Sequence, residues 1–199
     1  MHPFEQLIYD RFAESIAAWD TKRHPDINAI SLLCDSTGFG EDEAGREYIL
    51  QGQVRLSYNT LSHYHEQIEE GESRAAALWN IAYWPQDITA AVPQDVPKNG
   101  VPPAEELALR DAWCASLGLL PEDEDGGGRA VYDEALLNRS LHSACQGVAT
   151  ALHRNSIVVK KLGKPVPILI QDLDGSEGTI AATLAANPPG VSAEIDEFR

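Results

Sequence analysis

Residues 48–58 read Tyr48-Ile49-Leu50-Gln51-Gly52-Gln53-Val54-Arg55-Leu56-Ser57-Tyr58. The apolar residues at either end have strand composition, and Gln51-Gly52-Gln53 between them suits a tight turn. Arg55 and Ser57 alternate with Val54, Leu56 and Tyr58, as on a sheet with one wet face. This stretch predicts a strand pair. Just upstream, Ile27 to Cys34 is a short apolar run rich in Ile and Leu, which reads as a buried strand. Asp35 to Gly45 is polar and glycine-containing, a loop.

The N-terminal segment has a different period. Phe4, Leu7, Ile8, Phe12, Ile16 and Trp19 recur at helical spacing, with Glu5, Arg11 and Glu14 elsewhere. An amphipathic helix over residues 4–20 follows, ended by His24-Pro25-Asp26. Downstream, residues 60–74 are polar and acidic. Ala75 to Leu78 suits a helix, but Trp79, Ile81 and Tyr83 alternate, and a strand ending at Pro85 is the preferred reading. The prolines between Pro93 and Pro103 make a loop.

Ala104 to Leu117 reads as a helix, with Glu105 and Glu106 placed to suit its dipole and Gly118 at its end. A longer helix spans about Ala130 to His153. Leu137, Leu141, Ala144, Cys145, Val148 and Leu152 share one face, and Asn155 is its C-cap. Val166 to Gln171 reads as a central strand. Thr179 to Ala186 is a short last helix capped by Ser176 and stopped by Asn187-Pro188-Pro189-Gly190. Strands come early and helices late, without regular βαβ alternation. The expected class is α+β: an N-terminal helix, an antiparallel sheet of about four to five strands, and helices concentrated in the C-terminal half of one domain, residues 1–199.

The 199 residues carry a net charge of −16, from 31 acidic and 15 basic side chains. Such a field opposes binding to nucleic acid or anionic membranes and attracts basic partners. Residues 1–125 hold 23 acids and 8 bases, while residues 126–165 hold 2 acids and 6 bases, with Lys160, Lys161 and Lys164 clustered. The chain is therefore expected to be electrostatically two-faced. Three cysteines, Cys34, Cys114 and Cys145, form no C-x-x-C pair and sit among apolar neighbours, as small buried hydrophobes in a reducing compartment do. No signal peptide or apolar run of membrane-spanning length is recognisable, so a cytoplasmic location is expected.

Three constellations could carry chemistry. Asp123-x-Asp125-x-Gly127-Gly128, with Glu134 at the twelfth position, has part of a calcium-loop pattern, but Gly127 and Val131 stand where oxygen donors belong. The expectation is therefore no bound metal, with Asp123, Asp125 and Glu134 as the candidates, and no cofactor. His63 and His65 lie near Glu66 and Glu69. The two imidazoles would share a face on a strand, whereas His65 and Glu69 would be one turn apart on a helix; zinc would need a third ligand from elsewhere. Cys145 follows His142 by three residues, but its mid-helix apolar position favours packing over nucleophilic chemistry. No nucleophile elbow, phosphate loop or H-E-x-x-H helix occurs, and no catalytic residue is assigned. The acidic runs remain. Glu66, Glu69, Glu70 and Glu72, with Glu122, Asp123, Glu124 and Asp125, are the candidate partner-binding residues.

Four stretches taken together resemble the bacterial domain-of-unknown-function family 4303. They are Leu56-Ser57-Tyr58-Asn59-Thr60, Leu78-Trp79-Asn80-Ile81-Ala82-Tyr83-Trp84, Pro165-Val166-Pro167-Ile168-Leu169-Ile170-Gln171-Asp172-Leu173 and Ala186-Asn187-Pro188-Pro189-Gly190. The resemblance implies an α+β domain without assigned chemistry, similar to small proteins encoded beside polymorphic toxins. It also implies a His where this chain has Gln171. Read as residues, Asn59 and Thr60 can close a strand end through side-chain bonds to backbone, and Asn80 can do the same nearby. Trp79 and Trp84 are large enough to anchor a core. The expected function is an immunity-type protein whose acidic face binds and neutralises a cognate toxin with a basic surface. The alternatives are a metal-dependent enzyme or regulator using His63, His65 or the Asp123–Glu134 loop, and a structural domain of a larger assembly.

Overall fold

The computed structural model describes residues 1–41, 47–85, 87–94, 102–121, 123–124, 130–173 and 177–191. Helix α1 (Pro3–Ala18) is followed by strands β1 (Ile27–Asp35), β2 (Gly38–Glu41), β3 (Glu47–Leu50) and β4 (Gln53–Thr60). Helices α2 (Leu61–Glu69) and α3 (Arg74–Trp79), a 3-10 turn (Ile81–Tyr83) and strand β5 (Ala90–Val92) come next. Helix α4 (Ala104–Ser116), the short strands β6 (Asp123–Glu124) and β7 (Ala130–Val131), helices α5 (Glu134–Arg154) and α6 (Ile157–Leu162), strand β8 (Ile168–Asp172) and helix α7 (Glu177–Ala186) complete the order. The class is α+β.

Four strands form the main sheet in the order β5-β4-β1-β8. The β5–β4 and β4–β1 pairs are antiparallel, as expected, but β8 runs parallel to β1, so the sheet is mixed. The long connection through the helices lets β8 return in that direction. It also sits at an edge and not at the centre. Its unbroken apolar run is explained by cover on its face and edge, not by a second neighbouring strand.

The strand pair anticipated at residues 48–58 is resolved differently. β3 pairs with β2 and β4 pairs with β1, so Gln51-Gly52 is not a hairpin turn. Asp35 opposes Gln53 and Gly38 opposes Leu50 in one continuous register. β1-β2 and β3-β4 are thus two arms of a single long hairpin, interrupted at Ser36-Thr37 and Gln51-Gly52. Gly52 has φ 78°, and a Cβ there would lie 3.0 Å from the Arg110 side chain. The interruption therefore requires glycine both for its backbone and for the approach of α4. Arg110 donates to Gln51 O at 2.7 Å from below, and Gln51 exchanges side-chain bonds with the Tyr132 backbone at 2.7 and 3.1 Å.

The segment read as a strand at 75–84 is helical. Ser73 Oγ accepts from Ala76 N to start α3, and Asn80 Oδ1 accepts from Ala82 N to start the 3-10 turn. Two N-caps seven positions apart outweigh a three-residue alternation. Residues 61–69, given no element from their polarity, form α2, which buries none of its side chains.

Register sorts the sheet into two faces. Ile30, Leu32 and Cys34 align with Tyr58, Leu56 and Val54 on one side and with Ile168, Ile170 and Asp172 on the other. This face carries the main core, under Phe4, Ile8, Phe12 and Ile16 of α1, Trp113 of α4, and Leu137, Leu141, Cys145, Val148 and Leu152 of α5. The opposite face has a small cluster in which Trp84 packs on Ala29 and Leu169. Ser31 and Gln171 bond there at 2.6 Å.

Both edges of the sheet are closed by side chains. On β5's side, Arg11 of α1 donates to Ala91 O (3.1 Å), Ser15 donates to Thr89 O (3.3 Å) and Trp19 Nε1 donates to Thr89 Oγ1 (3.2 Å). On β8's side, Thr183 Oγ1 accepts from Ile170 N (2.8 Å) and donates to Ile170 O (3.2 Å). Asn187 accepts from Ile168 N and donates to Ile168 O, both at 2.8 Å. The spacing works because four helical residues rise about 6 Å and two strand residues about 6.6 Å. A helix laid antiparallel to an edge can therefore meet every outward-facing pair with residues at i and i+4. An edge so occupied is closed to pairing with another chain.

Candidate functional site

The carboxyl ends of β1 and β8 lie side by side because the two strands are parallel. Helix α5 starts above them. Glu134, Asn138, His142 and Cys145 fall at three- and four-residue intervals and so share one stripe of that helix. Between this stripe and the strand ends is a cavity of about 170 Å³ lined by Cys34, Ser36, Thr37, Glu134, Asn138, Asp172 and Leu173. In open sheets with parallel strands, ligands gather at such strand ends.

Asp172 is the centre of the site. Its register with Cys34 turns it to the helix-covered face, and it is 7% exposed. Asn138 Nδ2 donates to Asp172 Oδ2 at 3.0 Å. His142 Nε2 lies 3.1 Å from the same oxygen, an ion-pair distance off the line of a hydrogen bond. Burial lowers the His142 pKa, outweighing the opposing pull of the Asp172 charge, so the imidazole is neutral at pH 7. Asn138 Oδ1 is buried and has no hydrogen-bond partner.

Neighbouring groups brace the site. Asp35 pairs with Arg55 at 3.1 Å and accepts from Thr37 N at 3.1 Å, which fixes the turn out of β1. Cys34 and Cys145 place their sulfurs 3.5 Å apart beneath the cavity. That contact, with burial, raises the Cys34 pKa well above the ordinary thiol value. Both residues are buried packing groups, as the mid-helix position of Cys145 suggested; a protonated thiol is a poor nucleophile.

The residues chosen from sequence are divided between the two ends of the sheet. Glu66 and Glu69 lie on α2, Glu70 caps it and Glu72 follows; the first three are exposed. α2 begins after Thr60, which opposes Ile27 at the start of β1. That is about 23 Å from Cys34 along the strand, taking seven residues at 3.3 Å each. Asp123 and Glu124 form β6, which pairs with β7 just before α5, on the cavity side. Glu122 and Asp125 lie outside the described residues. A partner touching both acidic clusters would have to span the length of the sheet.

The structure describes the metal candidates only in part. Asp123 opposes Val131 in a strand ladder, α4 ends already at Ser116, and Glu134 is the first residue of α5. Asp125, with the rest of residues 125–129 at the centre of that candidate loop, lies outside the described residues. His63 and His65 are on a helix, so they do not share a face. His63 Nε2 meets Tyr83 O at 2.8 Å and its Nδ1 faces Glu66 at 3.3 Å. Among the described residues, no group of three or more His, Cys, Asp or Glu side chains is placed to hold a metal ion. No helix among them is long and apolar enough to cross a membrane.

Sequence reasoning passed over Asp172, Asn138, Ser36 and Thr37 as a group. The one available signal was parity: Ile168 and Ile170 face the core, and Asp172 continues their row. Gln171, where the family resemblance implied a His, points to the other face. No family model, curated protein or solved structure matches the chain.

Proposed function

We propose that this chain is a binding protein of the immunity type, which neutralises a toxin by docking its acidic surface on a basic domain. The observation that carries this reading is α2. It buries no side chain and shows Glu66, Glu69 and Glu70 to solvent on a chain of net charge −16. A helix with no buried side chain and several exposed carboxylates contributes little to the core, and its charge steers a basic partner into encounter. The motif resemblance to proteins encoded beside toxins supplies the kind of partner.

The test is co-expression with the protein encoded beside this one, followed by co-purification at low and high salt. The complex should form quickly, weaken as salt rises, and weaken further in a Glu66→Lys, Glu69→Lys, Glu70→Lys variant. Cells that survive the neighbouring protein equally well without this chain would overturn the reading.

A further inference from the structure

We propose that α2 is a docking ridge for a basic amphipathic helix of a partner protein, which packs on an outward stripe formed by Leu61, Tyr64, His65 and Ile68. The proposal rests on the docking reading of α2 and deepens it: the carboxylates attract the partner, and the stripe holds it.

Helix α2 is turned opposite to a core helix. At about 100° per residue, Tyr64, Ile68, Leu61 and His65 follow one another around the helix within about 100°. Leu61 is 40% and Ile68 36% exposed, and His65 is exposed beside them. Tyr64 is half-buried, with its ring centre 5.0 Å from that of His65. In a globular domain an apolar stripe of this kind is turned to the core. Here the side turned to the body is polar. Its half-buried residues are His63 and Gln67, and His63 Nε2 meets Tyr83 O at 2.8 Å. Thr60 Oγ1 accepts from His63 N at 3.2 Å, and Asp26 Oδ2 accepts from Ser62 N at 2.7 Å and from Ser62 Oγ at 2.5 Å. Polar bonds therefore pin α2 to the body and leave its apolar stripe outward.

Charge selects the occupant. Next to the stripe around the helix come Glu69, Ser62, Glu66 and Glu70, all exposed. The outward surface is thus divided lengthwise, apolar on one half and acidic on the other. A second copy docked through a two-fold contact would set Glu66, Glu69 and Glu70 near the same residues of a chain that also carries −16. An anionic membrane is opposed by the same field. A helix with one apolar and one basic face matches both halves. Its apolar side chains cover Leu61 and Ile68, and its Lys or Arg residues meet the carboxylates.

The experiment titrates the full chain with two synthetic peptides of equal charge and follows amide NMR shifts. One is a Leu–Lys sequence of about 18 residues with an apolar and a basic face, long enough to form a helix; the other is an oligolysine. Both should give saturable shifts on α2, with the amphipathic peptide binding at least about tenfold more tightly. The double substitution Leu61→Ser, Ile68→Ser lies at exposed positions, so the urea midpoint should stay unchanged. It should bring the amphipathic peptide down to the oligolysine affinity and leave oligolysine binding as it was. Leu61→Met with Ile68→Leu should keep the preference. No saturable shifts on α2, equal affinities for the two peptides, or a preference that survives the double serine substitution would overturn the proposal. So would sedimentation showing a dimer that the double serine substitution dissolves, because the occupant is then a second copy. Oligolysine binding on α2 without any preference removes the stripe and leaves acidic docking standing. Cells that survive the neighbouring protein without this chain remove the immunity reading whichever peptide binds.

Discussion

Replacing Asn187 by Ala should be among the most destabilising single changes in this protein. The Asn187 amide receives Ile168 N at 2.8 Å, donates to Ile168 O at 2.8 Å and to Thr183 O at 2.7 Å, and meets His153 Nε2 at 3.0 Å. Ile168 is fully buried, so water cannot replace the lost partners without opening the edge of β8. Two orphaned backbone groups cost about 1–3 kcal/mol each, and the helix and imidazole contacts add to that. The expected loss is about 3–5 kcal/mol, a large part of the roughly 5–15 kcal/mol by which a domain is stable. Thr183→Val keeps the side-chain shape and removes both bonds to Ile170, for about 2 kcal/mol. Urea unfolding followed by far-UV circular dichroism measures both, with an unchanged slope showing that compactness is preserved. Hydrogen exchange should find the Ile168 and Ile170 amides protected in the unmodified chain and faster in the variants. An Asn187→Ala loss below about 1 kcal/mol, or unprotected Ile168 and Ile170 amides, would refute the idea that Thr183 of α7 and Asn187 just beyond it close this edge.

The remaining predictions concern charge and thiols. Burial lowers the His142 pKa from 6.5, so the unfolded chain binds more protons as pH falls below about 6.5. Stability should therefore decline through that window and level off above it, and His142→Gln should flatten the decline; equal urea midpoint shifts for both proteins between pH 7 and 5 would contradict this. Glu106 takes Arg11 at 2.5 and 3.0 Å and Gln94 N at 2.7 Å. Glu106→Ala should cost about 2–3 kcal/mol, reduced from a fully buried pair because Arg11 is partly exposed; a thermal melt matching the unmodified chain would remove this ion pair as an anchor of α1. The Cys114 thiol is pushed up to about 11 by burial, and Cys34 is raised by its contact with Cys145. All three cysteines should resist a thiol reagent at pH 8 and react in urea; rapid native labelling of Cys34 would mean that the cavity floor opens.

How far the sequence was legible follows from the range of each signal. The stripes Phe4-Ile8-Phe12-Ile16 and Leu137-Leu141-Cys145-Val148-Leu152 lie on the core-facing sides of α1 and α5. A helix displays its period within a few turns, so such a pattern is local. β1 and β4 were legible for the same reason. Asn59 also behaves as its type suggests: its Oδ1 accepts from Thr60 N and its amide donates to Ala77 O. The Trp79-Ile81-Tyr83 alternation misled because it is too short to define a period, and the flanking caps Ser73 and Asn80 were the stronger local signal.

The sequence by itself determined the class, the acidic balance and the amphipathic faces, because composition and short periods do not depend on what packs against them. Only the tertiary structure decided the partners of those faces. Whether β3 pairs with β4 or with β2 is a matter of register over the whole hairpin. The place of β8 at an edge depends on a chain that leaves β1 and returns, parallel, after the intervening helices. Thr183 and Asn187 become edge closures, and Arg11 and Ser15 their counterparts across the sheet, only because helix rise and strand rise nearly match when the two lie side by side. The cavity has the same origin. Asp172 reads as one more acid in an acidic chain until its register with Cys34 turns it inward, beneath Asn138 and His142.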